Sequence, residues 1–132
     1  MNEMINLSFN KAKERISDMI QKGEESGNCH DAVENHAEGI RFLEYLQAFI
    51  NKRKKEMPKD SYTTKLFESG INKIAQKVGE EAVELVIEAK DQNDELFLNE
   101  AADLIYHFIV LLSARGYSFN DVAKVLSARH LS

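Results

Sequence analysis

A chain of 132 residues with 43% hydrophobic and 30% charged content has the make-up of one ordinary soluble domain. Its formal net charge of −5 argues against a surface that gathers phosphate backbones, so no nucleic-acid partner is expected. An acidic site can still receive a phosphorylated small molecule if a metal cation stands between carboxylate and phosphate. The single cysteine, Cys29, excludes an intramolecular disulfide framework. The N-terminus lacks a signal-peptide core, and the apolar run Leu104–Leu112 is short and holds His107. A cytoplasmic protein with no membrane partner is expected.

Helical periodicity, short polar breaks and one proline predict an all-α fold. A weak amphipathic helix is expected over residues 9–22, followed by a loop over 22–28. From Ile40 to Lys55, Phe42, Leu43, Leu46, Phe49 and Ile50 recur at three and four, and Pro58 closes that helix. Ser61–Phe67 reads as a short turn or helix with Asp60 or Ser61 as N-cap and Gly70 as its stop. A long helix is predicted over Ile71–Lys90, with Ile71, Ile74, Ala75, Val78, Ala82, Leu85 and Val86 as its main apolar stripe. Residues 91–94 break and cap the chain before an antiparallel second helix, Glu95–Arg115, which Gly116 ends. Ser118 and Asp121 resemble a capping box for a last helix from Phe119 to about His130.

The chemistry sits on the long pair. The second helix is apolar in nearly every direction, which calls for enclosure by protein and, in so small a chain, for at least a homodimer. On it Glu100, Asp103 and His107 follow at three and four, one strip facing one pocket. On the first helix Glu80, Glu81 and Glu84 crowd between apolar arcs, with Lys77 and Glu88 extending the same side. Unpaired ions so placed cost several kcal/mol each in desolvation, on the order of the penalty for a buried charge, and a divalent cation removes the conflict. Four carboxylates, two from each helix, suit Mg²⁺, with Mn²⁺ as an alternative, rather than Zn²⁺. Such an ion bridges phosphate oxygens and acidifies a water in its shell, so phosphoanhydride hydrolysis is the natural reaction class.

Glu80-Glu81-Ala82-Val83-Glu84 followed by Glu100-Ala101-Ala102-Asp103 resembles the paired signature EExxE and ExxD of the all-α, MazG-like NTP pyrophosphohydrolases. The stretches SYTTKLFESGINKIAQKVGEEAVELVIEA and NEAADLIYHFIVLLSARG, with the terminal ARH, are similar to phosphoribosyl-ATP pyrophosphohydrolase over about residues 40–131. The resemblance implies Mg²⁺-dependent hydrolysis of phosphoribosyl-ATP to phosphoribosyl-AMP and pyrophosphate, the second step of histidine biosynthesis, by a helical dimer. It implies Glu81, Glu84, Glu100 and Asp103 as metal ligands, and Glu80 as a further ligand or the base that orients the attacking water. Lys77 and Lys73 would neutralise charge on the leaving pyrophosphate. Ser61, Tyr62, Thr63 and Lys65 would shape the substrate site, with His107 beside the ligands and Arg129, followed by His130, at its edge.

The blander readings are solvated glutamates, lysines paired along a helix, a packed histidine, and Arg129 and His130 complementing a helix end. Only the two motifs together outweigh them. Residues 1–38 fall outside the resemblance and are read as an N-terminal extension to a domain over 39–132. They are too short for the phosphoribosyl-AMP cyclohydrolase domain that precedes this one in other family members, so a single activity is expected. Cys29, His30 and His36 lack a fourth ligand and a zinc spacing. Two further functions stay open: a house-cleaning pyrophosphohydrolase of simple nucleotides, and a non-catalytic helical interaction module whose acidic strip sets register.

Overall fold

Period-3.6 apolar patterning has to be satisfied by helix packing, and the computed structural model of the protein contains helices and no strand among its described residues, 31–131. The helix expected over 9–22, its loop, and Cys29 and His30 lie outside those residues, as does the side chain of His36. The helices are α1 (Asp31–Glu56), α2 (Tyr62–Ser69), α3 (Ile71–Glu88), α4 (Asp94–Ala114) and α5 (Phe119–His130). The contact pattern divides the chain inside α1, and the unit from Glu44 onward carries everything described below.

The boundaries have local causes. Beyond α1, Met57 takes a left-handed φ of 47° and its N–H reaches the Arg53 carbonyl at 2.9 Å, ending the helix just before Pro58. Ser61 caps α2 by accepting from the Thr64 N–H, and Gly70, at φ 86°, turns the chain directly into α3. Asn93 caps α4 by accepting from the Leu96 N–H at 3.1 Å, and Gly116, at φ 78°, closes it. At α5 the Asp121 carboxylate accepts from both the Ser118 N–H and hydroxyl, at 2.9 and 3.0 Å, so the shorter side chain serves in place of the usual Glu. These contacts hold the Asp121 carboxyl below its ordinary pKa.

α3 and α4 form the main packed pair, with α2 against both. The core joins Leu46 and Ile50 of α1, Leu66 of α2, Ile74 of α3, and Tyr106, Ile109 and Val110 of α4. Polar ties fix α1 to the end of α4: the Ser113 hydroxyl donates to Asn51 Oδ1 and Lys54 Nζ donates to the Ser113 carbonyl, both at 2.6 Å. Gln47 Oε1 accepts from the Phe119 N–H at 2.7 Å, satisfying one of the free donors at the start of α5.

The buried side of α3 differs from the expected stripe. Ile74, Lys77 and Glu81 are its buried residues, while Ile71, Ala75, Val86, Val83 and Ile87 are exposed. The α3–α4 contact includes the polar-bearing seam, toward which α4 turns Glu100, Asp103 and His107, so that of the expected stripe Ile74 is buried and Val78, Ala82 and Leu85 are half-buried while the rest stays exposed. The expected enclosure of α4 is likewise confined to its second half, since Leu96, Phe97 and Leu98 are exposed within the chain. By length and apolar composition α4 would suffice to cross a membrane, more than its sequence alone indicated. Its Glu100, Asp103 and His107 face α3, and carboxylates at mid-helix are costly in lipid, so it is read as a core helix.

Ile109 has no exposed surface. Ile109→Ala is expected to cost about 2–5 kcal/mol in denaturant unfolding, the transfer and cavity cost of an emptied core site.

Candidate metal centre and catalytic site

The α3–α4 pair brings carboxylates together by register. Glu84 meets Glu100, Glu81 feels Asp103, and Lys77 acts on His107, a sequence that descends one helix as it climbs the other and so marks an antiparallel pair. Glu81, Glu84 and Glu100 each offer an oxygen, and these oxygens lie within 4.8 Å of one another, an arrangement that could hold a metal ion. Asp103, one turn along α4 from Glu100, stands outside that group of three but within electrostatic reach of Glu84 and Lys77.

The electrostatics of the group are those of acceptors lacking donors. Glu100 Oε2 is buried with no hydrogen-bond partner. Burial and the neighbouring Glu84 carboxylate raise the Glu81 pKa to about 7, and the same two causes raise that of Glu100. Contacts between carboxylates are hydrogen bonds only when one partner keeps a proton, so the metal-free cluster retains protons that a cation would displace. Burial also lifts the Asp103 carboxyl, against the lowering effects of His107 and Lys77. An all-oxygen donor set with an orphaned buried oxygen fits a hard divalent ion.

Lys77 is buried, with its Nζ 3.2 Å from Glu80 Oε2 and 3.7 Å from Glu81 Oε1. Burial works against its charge, but the hydrogen bond to Glu80 and the fields of Glu80 and Glu81 prevail and raise its pKa. Glu80 itself points along the exposed side of α3, where Gln76 Nε2 donates to it at 2.7 Å; Gln76 and Lys77 together lower its pKa. It therefore stands apart from the three clustered carboxylates. Gln76, which no motif marked, sits one helical turn before it.

α2 forms the wall beside the seam. His107 has no exposed surface, and its Nδ1 lies 2.7 Å from the Asp103 carbonyl, an oxygen that only accepts. Nδ1 therefore carries the hydrogen, and Nε2 accepts from the Tyr62 hydroxyl at 3.1 Å. Burial lowers the His107 pKa, which keeps the ring neutral and this arrangement intact. Burial raises the Tyr62 pKa, against Lys77 and with Glu81 and Asp103, so its hydroxyl stays protonated beside the carboxylates. Thr63 is buried and hydrogen-bonded to the hydroxyl of Tyr106, a partner that sequence reasoning missed, and Tyr106 is pushed up to about 12 by burial.

The remaining predicted residues are more peripheral. Ser61 is the cap of α2, Lys65, Lys73 and Arg129 are exposed, and Lys73 acts on Glu80. A recess of about 430 Å³ opens at the other end of α4, among Asn51, Lys54, Ser113, Tyr117 and Asp121, away from the carboxylates.

A pH dependence of the metal-free protein follows. The folded state holds the Glu81 proton up to about 7, whereas an unfolded glutamate releases it near its ordinary value. Between those values the folded state binds more protons, so stability falls as pH rises and levels off above about 7. Thermal melts in chelator should show a lower Tm at pH 8 than at pH 5, and a divalent cation should raise Tm more at pH 8. The same change of Tm with pH in Glu81→Gln as in the wild type would contradict the crowding of these carboxylates, since His107, whose pKa burial lowers, acts in the opposite sense in both.

Residues 43–130 match the family described as Phosphoribosyl-ATP pyrophosphohydrolase. The chain is 54% identical over 119 residues to the Histidine biosynthesis bifunctional protein HisIE of Bacteroides thetaiotaomicron, covering 86% of this chain and 59% of that protein. This match is longer than residues 39–132, so it reaches into the N-terminal segment. The Xylella fastidiosa protein of the same name is 54% identical over 90 residues, 68% of this chain and 44% of its own length. The chain thus spans about half the length of these curated relatives. The Phosphoribosyl-ATP pyrophosphatase of Leptospira biflexa is 44% identical over 91 residues, 69% of this chain and 99% of that protein. With the acidic pair of helices in place and a match over two thirds of its length, the chain belongs to the phosphoribosyl-ATP pyrophosphohydrolase family.

Proposed function

We propose that the protein hydrolyses phosphoribosyl-ATP to phosphoribosyl-AMP and pyrophosphate in histidine biosynthesis, with Mg²⁺ or Mn²⁺ held by Glu81, Glu84, Glu100 and Asp103. The observation that carries this reading is the convergence of three carboxylates within 4.8 Å, one of them with a buried oxygen that meets no donor. When bound, the ion supplies Lewis-acid stabilisation of phosphate oxygens and a more acidic water. Water adds to phosphorus, the bond to the pyrophosphate oxygen breaks, and the electron pair leaves with pyrophosphate.

The chain's own groups divide the rest of the work. Lys77, beside Glu81, and Lys73, near Glu80, neutralise charge on the departing pyrophosphate. Glu80 orients the attacking water and takes its proton once its carboxylate lets go of Gln76 or Lys77. The Tyr62 hydroxyl, fixed by His107, borders the reacting phosphates, while Ser61 and Thr63 hold the wall in shape. Lys65 and Arg129 reach the outer parts of the substrate from exposed positions.

Purified protein with Mg²⁺ is expected to release pyrophosphate from phosphoribosyl-ATP in preference to dNTPs. A preference for dNTPs would favour a house-cleaning pyrophosphohydrolase, and turnover of neither would favour an interaction module. Glu84→Gln and Asp103→Asn should each lower kcat/KM on the order of a hundredfold or more with helicity unchanged, at least the loss typical of disturbed metal shells.

The exposed apolar residues of the α3–α4 hairpin support a homodimer, or a higher homo-oligomer, as the working form. Val83, at 61% exposure, and Leu98, at 63%, stand with Val86, Ile87 and Leu96 on its open end. Large apolar side chains exposed in such number at one end of a helical hairpin favour burial against a second copy. Sedimentation velocity at micromolar concentration should return at least a dimer, and a compact monomer would contradict this. A nucleotide substrate and a lone cysteine suit a cytoplasmic enzyme. Residues 1–38 are assigned as an extension to the domain over 39–132.

A further inference from the structure

We propose that Lys77 is a tethered counter-cation of the carboxylate cluster: its ammonium stands in for part of the divalent ion's charge, opposes entry of that ion alone, and leaves Glu81 when metal and a phosphate-bearing ligand arrive together. The inference rests on the metal reading above and concerns how that site fills.

A lysine is rarely buried unless its charge is met. Lys77 is 8% exposed, and Glu81, 3.7 Å from its Nζ, is 7% exposed. The second partner, Glu80 at 3.2 Å, keeps its side chain 43% exposed. The ammonium is thus shared between one carboxylate inside the cluster and one outside, on the boundary between them. Its field also reaches Tyr62 on α2 and Asp103 and His107 on α4, which places it among three helices and not on a solvated helix face.

Two consequences follow from Coulomb's law. A divalent ion on Glu81 stands close to a like charge in a partly desolvated place, so losing the ammonium should tighten metal binding by roughly tenfold or more. A phosphate oxyanion removes the opposition by giving the ammonium a new partner in place of Glu81. Metal and phosphate ligand then bind with positive coupling, and the coupling is reciprocal.

The test is a Mn²⁺ titration of the metal-free protein, read by the spin-resonance signal of free Mn²⁺, with and without inorganic pyrophosphate and corrected for the Mn²⁺–pyrophosphate complex in solution. Lys77→Met and Lys77→Gln should bind Mn²⁺ alone about tenfold or more tightly than the wild type. Lys77→Arg, which keeps the charge, should resemble the wild type. Pyrophosphate should tighten Mn²⁺ binding markedly in the wild type and little in the neutral variants. Far-UV circular dichroism checks folding, and the glutamine variant retains a donor for Glu80 should the methionine variant fail to fold. Equal or weaker Mn²⁺ binding by the folded neutral variants would overturn the proposal while leaving the metal site standing. Absence of Mn²⁺ binding by every form would overturn the metal reading and this inference with it.

Discussion

Repulsion among Glu81, Glu84 and Glu100, whose oxygens the α3–α4 contact gathers within 4.8 Å, must be met by retained protons, by Lys77 or by a cation. Each answer leaves a mark in the structure. Retained protons appear as the raised pKa values of Glu81 and Glu100, and the lysine as a buried ion pair. Room for a further donor or a cation appears as Glu100 Oε2, which is buried and meets no donor. A helix pair packed for stability alone would place apolar side chains at these positions, since a buried ionic group is weak evidence for stability.

The cluster is built on rigid elements and braced from one side. Capped by Ser61 and closed by Gly70, α2 is held close to α3 and lies against α4. Tyr62 and Thr63 then reach adjacent residues of α4, His107 and Tyr106, with edge-on ring contacts between Tyr62 and His107 at 6.1 Å and between Tyr106 and His107 at 5.3 Å. His107 returns the link to the backbone at Asp103. A neutral, single-tautomer histidine in that position fixes a tyrosine without adding charge to a region that already has too much of one sign.

Burial along α4 is uneven. Its second half packs into the core through Tyr106, Ile109 and Val110, while its first half, with the facing end of α3, leaves Leu98, Val83 and Val86 uncovered. The carboxylates lie where the covered part gives way to the open part. Stability of the single chain therefore draws on the internal surface, while the apolar residues at the acidic end face outward.

Most helix limits were legible in the sequence because they rest on local chemistry: Ser61, Asn93 and the Ser118–Asp121 pair cap α2, α4 and α5, and Gly70 and Gly116 turn the chain, whereas α1 begins at Asp31, nine residues before the expected Ile40, where no apolar periodicity marks it. The three- and four-residue spacings of Glu81, Glu84, Glu100 and Asp103 likewise placed them on facing strips. The expected stripe of α3 holds in part, with Ile74 buried and Val78, Ala82 and Leu85 half-buried but Ile71, Ala75 and Val86 exposed, since a helical wheel carries apolar residues in several arcs and cannot know which one the partner helix will meet. Only the tertiary structure decided that Lys77 and Glu81 are buried while Val83 and Val86 are exposed, that Glu80 turns to Gln76, and that Thr63 finds Tyr106. Periodicity and capping act within a few residues of chain; burial and pairing depend on the register of helices brought together across it, and that register is a property of the packed structure.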